Sequence, residues 1–536
     1  MGNKCTYSLV HTVLTLLDYE IQHTKCNLIK ERIDKVGVIK IVINIFLTYM
    51  WFCKFFSKNQ KINQKIILFK FISGISILIY ESNTKTLEPS PVNQNYDLKD
   101  NEIFDSIVIG SGPGGSIAAL KMLQNKENVL IIESGRYFKP GMIEHHSYKQ
   151  SKLQFVNEGM NFCYGNIPML FAEGGTFGGG SEVNSGLYFK LTEPYRDKLL
   201  KKANITEDEW IKKEQHIEKM LSVQDSPKLN KQLTQSALVK GSNIEGITCE
   251  EVPRWRKYLP IEEHQGMQVT YLEKARDLGL KILSETHVEK LIRNDDFVLV
   301  KVTINESTKY LKAKKVVVSA GTLETPNLLK KSYLLKDSIK FDFHPMTRCV
   351  VDYGNYINDG DLFPPYQAWT TDLKHKFGYA VSTYPYVKAT LASLGYFNKD
   401  INAENFACYF SSTVLEKSKG RIFYLRGKAY PFIYIKKYDR DKIAEGFSKL
   451  KKILKNAEVK QLWPEKSLSP MTTVHIFGSL PINSNKDIGK NGELLMDPRI
   501  KICDASLLPT APWGNPQAVI MALNEILIER WLKTFG

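Results

Sequence analysis

Three glycines, two carboxylates, a histidine and an asparagine carry most of the chemistry this sequence can do. Gly110, Gly112 and Gly115 stand in Gly110-Ser111-Gly112-Pro113-Gly114-Gly115, a G-x-G-x-x-G spacing. It can wrap a diphosphate: Gly110 permits a tight turn, Gly112 lets the phosphates approach the backbone, and Gly115 lets helix and strand pack closely. Glu133 lies 18 positions after Gly115, near where an acid accepts hydrogen bonds from a ribose. Far along the chain, His475 has the side chain best suited to moving a proton near neutral pH, and Asn515 can donate a hydrogen bond to a substrate oxygen. Each also has a plainer reading. A lone histidine is more often structural than catalytic, and Asn515-Pro516 before an apolar-periodic run is a helix-start signature.

The elements around the glycines are those the motif needs. Phe104 to Ile109 is a β-rich run that flows into the turn, Ser116 to Leu123 reads as a helix, and Val129 to Glu133 as a second strand. A helix start there presents unpaired N–H groups and partial positive charge to a diphosphate. The fingerprint does not separate FAD from NAD, because both contain ADP.

Further segments do. Ala172-Glu173-Gly174-Gly175-Thr176-Phe177-Gly178-Gly179-Gly180-Ser181-Glu182-Val183-Asn184-Ser185-Gly186, Lys315 to Leu329, and Ile502 to Thr510 each resemble a segment of the glucose-methanol-choline (GMC) oxidoreductases. With the glycine turn they keep the family's order over about residues 102 to 533. The resemblance implies a flavoprotein with FAD as cofactor, an α/β fold in which a Rossmann-like, doubly wound FAD-binding domain carries an antiparallel-sheet substrate domain, and oxidation of an alcohol. It implies that Gly178, Gly179 and Asn184 lie by the flavin, that the backbone of Val288 meets the adenine, and that Asp504 lies near the pyrophosphate and ribityl chain. It makes Thr473-Val474-His475-Ile476-Phe477-Gly478 the catalytic-histidine strand and Asn515 the second catalytic position, with a helix beginning at Pro516 aimed at the flavin. His344, in Phe343-His344-Pro345, also fits a family pattern and reads as packing or support. Ser479-Leu480-Pro481-Ile482-Asn483 departs from the arginine-methionine-glycine turn of many relatives.

The expected layout is 98–190, 266–330 and 471–536 for the FAD domain and 191–265 and 331–470 for the substrate domain. The latter is rich in aromatics such as Tyr366, Trp369, Tyr379 and Phe410, and two strands are expected at Arg421 to Leu425 and Tyr430 to Ile435 around Gly427. Residues 1–97 read as a helical extension ending in a linker over Thr84 to Asn95. Its apolar runs, Ile41 to Cys53 and Ile66 to Tyr80, fall short of the ~18 to 20 residues of a spanning helix. Their flanking lysines suit peripheral contact with an anionic membrane as well as packing on the main domain. Met1-Gly2-Asn3-Lys4-Cys5-Thr6 fits the short myristoylation pattern, which chance often produces.

The formal charge of +16 comes from lysines scattered through every segment, so nucleic acid is not an expected partner. The eight cysteines lack C-x-x-C pairs and metal-ligand spacing, which points to reduced thiols of an intracellular protein and no metal. The expected location is cytoplasmic, with membrane association left open through the N-terminal helices. The electron acceptor is unspecified. Two other uses of the scaffold stay open: a lyase or photodecarboxylase, and a flavin-binding subunit of a membrane electron-transfer complex.

Overall fold

The computed structural model describes residues 89–535, apart from 168, 228–232, 259–262, 305, 336–337, 355–364, 381, 383, 397–400, 426, 465–467 and 484–485. The expected N-terminal helices, with their membrane contact and acylation pattern, lie outside the described residues. The end of the linker, from residue 89, forms no helix or strand. It is nevertheless fixed to the domain: the Val92 N–H donates to the Tyr137 carbonyl at 2.8 Å, and the Asn95 side-chain oxygen accepts from the Ser284 N–H at 2.6 Å.

The strand Ile103–Ile109 lies at the centre of an eight-stranded sheet. Its parallel neighbours are Val129–Ile132 and Ser307–Val318, and beyond them Lys281–Leu283 and Asp497–Ile502 extend the parallel order. Ile107, Val108, Leu130, Ile131 and Val316 to Val318 have no exposed surface. Unbroken apolar runs therefore replace alternation, as a sheet covered on both faces requires. His287–Arg293 and Val298–Ile304 add an antiparallel meander to one edge.

The crossover helix Pro113–Gln124 packs on the central strands, and the C-terminal helix Gln517–Leu532 packs on the crossover helix. The C-terminal helix is apolar on nearly every side because it runs through the interior. Its one buried acid, Glu525, is held by Lys121 Nζ at 2.9 Å, His216 Nδ1 at 2.9 Å and the Tyr271 hydroxyl at 3.3 Å. Burial pushes this carboxyl up, but the His216 hydrogen bond and the Lys121 charge outweigh it and hold it at about 2, against an ordinary 4.5. The network therefore stabilises the fold above pH 4.5, and that contribution is lost as pH falls through about 2. Glu525→Gln should lower unfolding stability by about 1 to 3 kcal/mol at pH 7, since it removes the charge that Lys121, His216 and the buried Tyr271 hydroxyl share, while Lys121 keeps Glu529. In chemical denaturation the gap from the parent protein should narrow steadily below pH 4.5.

A second, thirteen-stranded and mostly antiparallel sheet runs from Ile476–Phe477 through Ile339–Phe343, Gly420–Leu425 and Lys428–Ile433 to Asn161–Gly165, Met169–Phe171 and Met471–Thr473. It continues through Met346–Asp352, Phe406–Thr413, His375–Ala380 and Tyr366–Trp369 to Thr248–Glu251. Gly420–Leu425 and Lys428–Ile433 form the expected hairpin, turned by Gly427 at φ 75°. The helix Lys437–Asn456 buries Phe447, Leu450, Ile453 and Leu454 against the sheet residues Cys349, Val351, Phe377 and Tyr409. Among the described residues, no helix is long and apolar enough to cross a membrane, and no group of His, Cys, Asp or Glu could hold a metal ion.

Candidate active site

The glycine turn joins three remote segments by backbone contact. Gly110 has φ 95°, and a Cβ there would lie 2.1 Å from the Ser319 carbonyl oxygen. A Cβ on Gly115 would lie 1.9 Å from the Gly110 oxygen, and one on Gly114 would lie 1.7 Å from the Cys503 oxygen. No side chain caps the crossover helix, which leaves its first N–H groups for a ligand. The Gly178 N–H donates to Ser111 Oγ at 2.8 Å, and Gly179 passes so close to Gly112 that a Cβ would lie 2.8 Å from its Cα. The Gly174–Gly186 segment thus lies directly on the turn.

Glu133 is buried beside the same turn, where it accepts from the Ser111 N–H at 2.9 Å, the Ser111 hydroxyl at 2.7 Å and the Gly135 N–H at 2.8 Å. The Thr286 N–H donates to the Glu133 carbonyl, which sets Val288 next to the end of the second strand. Asp504 lies at the other side of the turn. Burial pushes its carboxyl up, while Thr325 Oγ1 at 2.5 Å, the Ser506 N–H at 2.8 Å and the Gly321 N–H at 2.9 Å donate to it. Asn184 ties the glycine segment to the C-terminal helix: its amide donates to Gln517 Oε1 at 2.7 Å, and its oxygen accepts from the Gly186 N–H at 2.8 Å.

These residues fit FAD. A Cβ built on Gly112 or on Gly180 meets nothing within 4 Å, so each backbone borders open space. The cradle has uncapped N–H donors for a diphosphate and carboxylates for ribose or ribityl hydroxyls.

His475 is not within a continuous strand. It occupies a break between Met471–Thr473 and Ile476–Phe477. The Thr473 hydroxyl brackets it, accepting from the His475 N–H and donating to the His475 carbonyl, each at 3.1 Å. The His344 N–H donates to the same carbonyl at 3.2 Å. The two imidazoles meet edge to face, with Nδ1 of one 3.3 Å from Nδ1 of the other. Burial, then His344, then the charge of Lys376 push the His475 imidazole well below the ordinary 6.5. Burial and Lys376 take His344 down to about 3. Both rings are neutral at pH 7.

Asn515 differs from its helix-start reading. The helix begins at Gln517 with Pro516 in the cap position, and no side chain caps it. Asn515 Oδ1 instead accepts from the ammonium of Lys376. That lysine is 5% exposed, on the strand His375–Ala380, and no motif points to it. Its signal is a cation set among His375, Phe377 and Tyr379 in a strand whose other described residues are nearly all buried. Around the pair, the Phe189 ring centroid lies 4.5 Å from Lys376 Nζ and that of Phe410 lies 5.8 Å away. Trp513 packs on Phe189 and Trp369 with centroids 5.2 and 5.3 Å apart. Of the aromatics expected in the substrate domain, Trp369 and Phe410 belong to this wall and Tyr379 packs in the core.

Comparison with known proteins agrees with this architecture. The family model described as GMC oxidoreductase matches residues 104–345. An uncharacterised GMC-type oxidoreductase of Sinorhizobium fredii is 24% identical over 481 residues, covering 80% of this chain and 94% of that protein. A long-chain-alcohol oxidase of Arabidopsis thaliana is 23% identical over 525 residues, covering 80% and 68%. Among solved structures, pyridoxine 4-oxidase from Mesorbium loti superposes with a TM-score of 0.62 at 14% identity, over 80% of this chain and 99% of that one. Formate oxidase of Aspergillus oryzae superposes with a TM-score of 0.68 at 14% identity, over 82% of this chain and all of its own. With the glycine cradle and the mixed two-sheet fold, these matches place the chain in the GMC oxidoreductase family, as a flavoprotein enzyme whose cofactor is FAD.

Proposed function

We propose that this enzyme oxidises the CH–OH group of a small-molecule alcohol to a carbonyl, with His475 as the base and Asn515 as the residue that holds the substrate oxygen. The observation that carries this reading is the meeting of His475, His344, Lys376 and Asn515 at a site walled by Phe189, Phe410 and Trp513. Bound FAD supplies the acceptor, at flavin N5, for the hydride lost from carbon. The protein's task is to take the hydroxyl proton and to fix the C–O bond.

The histidine pair decides how His475 does so. If its Nδ1–H donates to His344 Nδ1, its Nε2 lone pair is left to accept the hydroxyl proton, and His344 must carry its own proton on Nε2. The low proton affinity of both rings keeps His475 neutral and ready at pH 7. Because a protonated lysine can only donate, its bond to Asn515 Oδ1 fixes the amide orientation and leaves Nδ2 as the donor for a substrate oxygen. Gly110, Gly112 and Gly115 would face the diphosphate, Glu133 and Val288 the adenosine half, Asp504 the ribityl side, and Gly178, Gly179 and Asn184 the flavin half. Pro516 would bring the start of the C-terminal helix to the ring, where its partial positive charge favours the reduced, anionic flavin.

Anaerobic mixing of the yellow holoenzyme with a panel of sugar, aromatic, short-chain and long-chain alcohols tests the reading. At least one class should bleach the flavin at 450 nm (roughly the usual flavin band) and yield one carbonyl per flavin. A holoenzyme that no alcohol reduces, yet that cleaves or decarboxylates a substrate or passes electrons to a bound cytochrome, would overturn it.

A further inference from the structure

An ammonium with no anionic partner is costly to bury, and Lys376 is such a group. At 5% exposure it forms no ion pair among the described residues, and it contacts Asn515 Oδ1 and the faces of Phe189 and Phe410. The strand register sets it in place: Lys376 lies opposite Trp369 on one side and Ser412 on the other, so the sheet side that carries Trp369 presents it toward Asn515. The titratable groups whose charge it influences are His475 and His344. Burial without an anion to offset it lowers its own affinity for a proton, to a pKa of about 7.

Replacing such an ion with an apolar side chain of similar length typically leaves a fold as stable or more stable. Packing therefore does not account for it. From its geometry we infer that Lys376 is a positioning residue of the active site: it locks the Asn515 amide with Nδ2 toward the substrate oxygen. Its charge adds to the burial and the His344 contact that hold His475 neutral. This rests on the alcohol-oxidation reading above. Below neutral pH, where His475 would otherwise begin to protonate, Lys376 is fully charged. Its influence on the imidazole is then greatest, and the sign of its removal is fixed: without the cation, His475 binds a proton more readily.

The test uses the full-length holoenzyme and three variants, Lys376→Met, Lys376→Arg and Asn515→Ala, with anaerobic single-turnover flavin reduction followed against pH. Lys376→Met should bind FAD, melt no lower than the parent, and reduce about 10- to 100-fold more slowly. The acid limb of its rate profile should move to higher pH, toward 6.5. Lys376→Arg should keep the acid limb low, because the charge remains. On the pH plateau, where His475 is neutral with or without the cation, combining Lys376→Met with Asn515→Ala should slow reduction little more than Asn515→Ala alone, since one residue acts through the other. Three results would each overturn the inference: an unmoved acid limb in Lys376→Met, a fully multiplicative double variant, or a marked loss of thermal stability that Arg restores without restoring the rate. A parallel His475→Ala series separates the two levels. If that variant reduces at the parent rate, the base assignment has failed, whatever Lys376 does.

Discussion

Replacing His475 with alanine is expected to leave a yellow, folded protein whose flavin is reduced by substrate about two to four orders of magnitude more slowly. The cofactor should stay bound because the cradle proposed for FAD, the turn at Gly110 to Gly115 with Glu133 and Asp504, shares no hydrogen bond with His475. The loss is large because no described neighbour can replace the imidazole. His344 contacts the same ring, but it is 2% exposed and packs edge-on against Phe477. Lys376 is committed to Asn515. In the parent enzyme the rate should hold steady as pH falls through 6.5 and fail only well below it, because a depressed histidine stays unprotonated to lower pH. Single-turnover reduction at the parent rate, or an acid limb near 6.5, would remove His475 from the mechanism.

How much of this was legible in the sequence depends on the range over which each feature is encoded. The strand, turn, helix and strand from Ile103 to Ile132 are local, and the steric demand at Gly110 and Gly115 is written in the residues themselves. The hairpin around Gly427 is equally local. The break at His475 is less so. Val474 and His475 are β-branched and ring-bearing residues that read as strand, but Thr473 turns its hydroxyl back onto the His475 backbone and interrupts the pairing. Asn515 shows local and distant signals in conflict: Asn-Pro is a strong helix-start pattern, yet a lysine 139 positions away claims the amide oxygen, and the helix starts later. No local rule could show that contact, because it depends on the register that sets Lys376 opposite Ser412. The linker shows a milder version: its composition suggests a tether, whereas Asn95 pins it to Ser284.

The glycine turn offers a second large effect, because two of its glycines are constrained by different things. Gly114→Ala would drive a methyl to 1.7 Å from the Cys503 carbonyl oxygen, a backbone atom that cannot rotate away. The crossover helix and the segment carrying Asp504 would have to separate, and overpacking of this kind costs about 3 kcal/mol or more. That variant should melt well below the parent even as apoprotein. Gly112→Ala is its counterpart. Its backbone, at φ −62° and ψ −177°, suits alanine, and the new methyl would meet no protein atom within 4 Å. The apoprotein should therefore unfold within about 0.5 kcal/mol of the parent. The methyl would instead project from the cap of the uncapped helix, where a diphosphate has to come close to the chain. FAD affinity should fall at least about tenfold, or about 1.4 kcal/mol, by fluorescence titration of the apoprotein. A Gly112→Ala protein that binds FAD as tightly as the parent would mean that the diphosphate does not lie against this turn. A Gly114→Ala protein of unchanged stability would mean that the helix and the Cys503 segment are not in backbone contact.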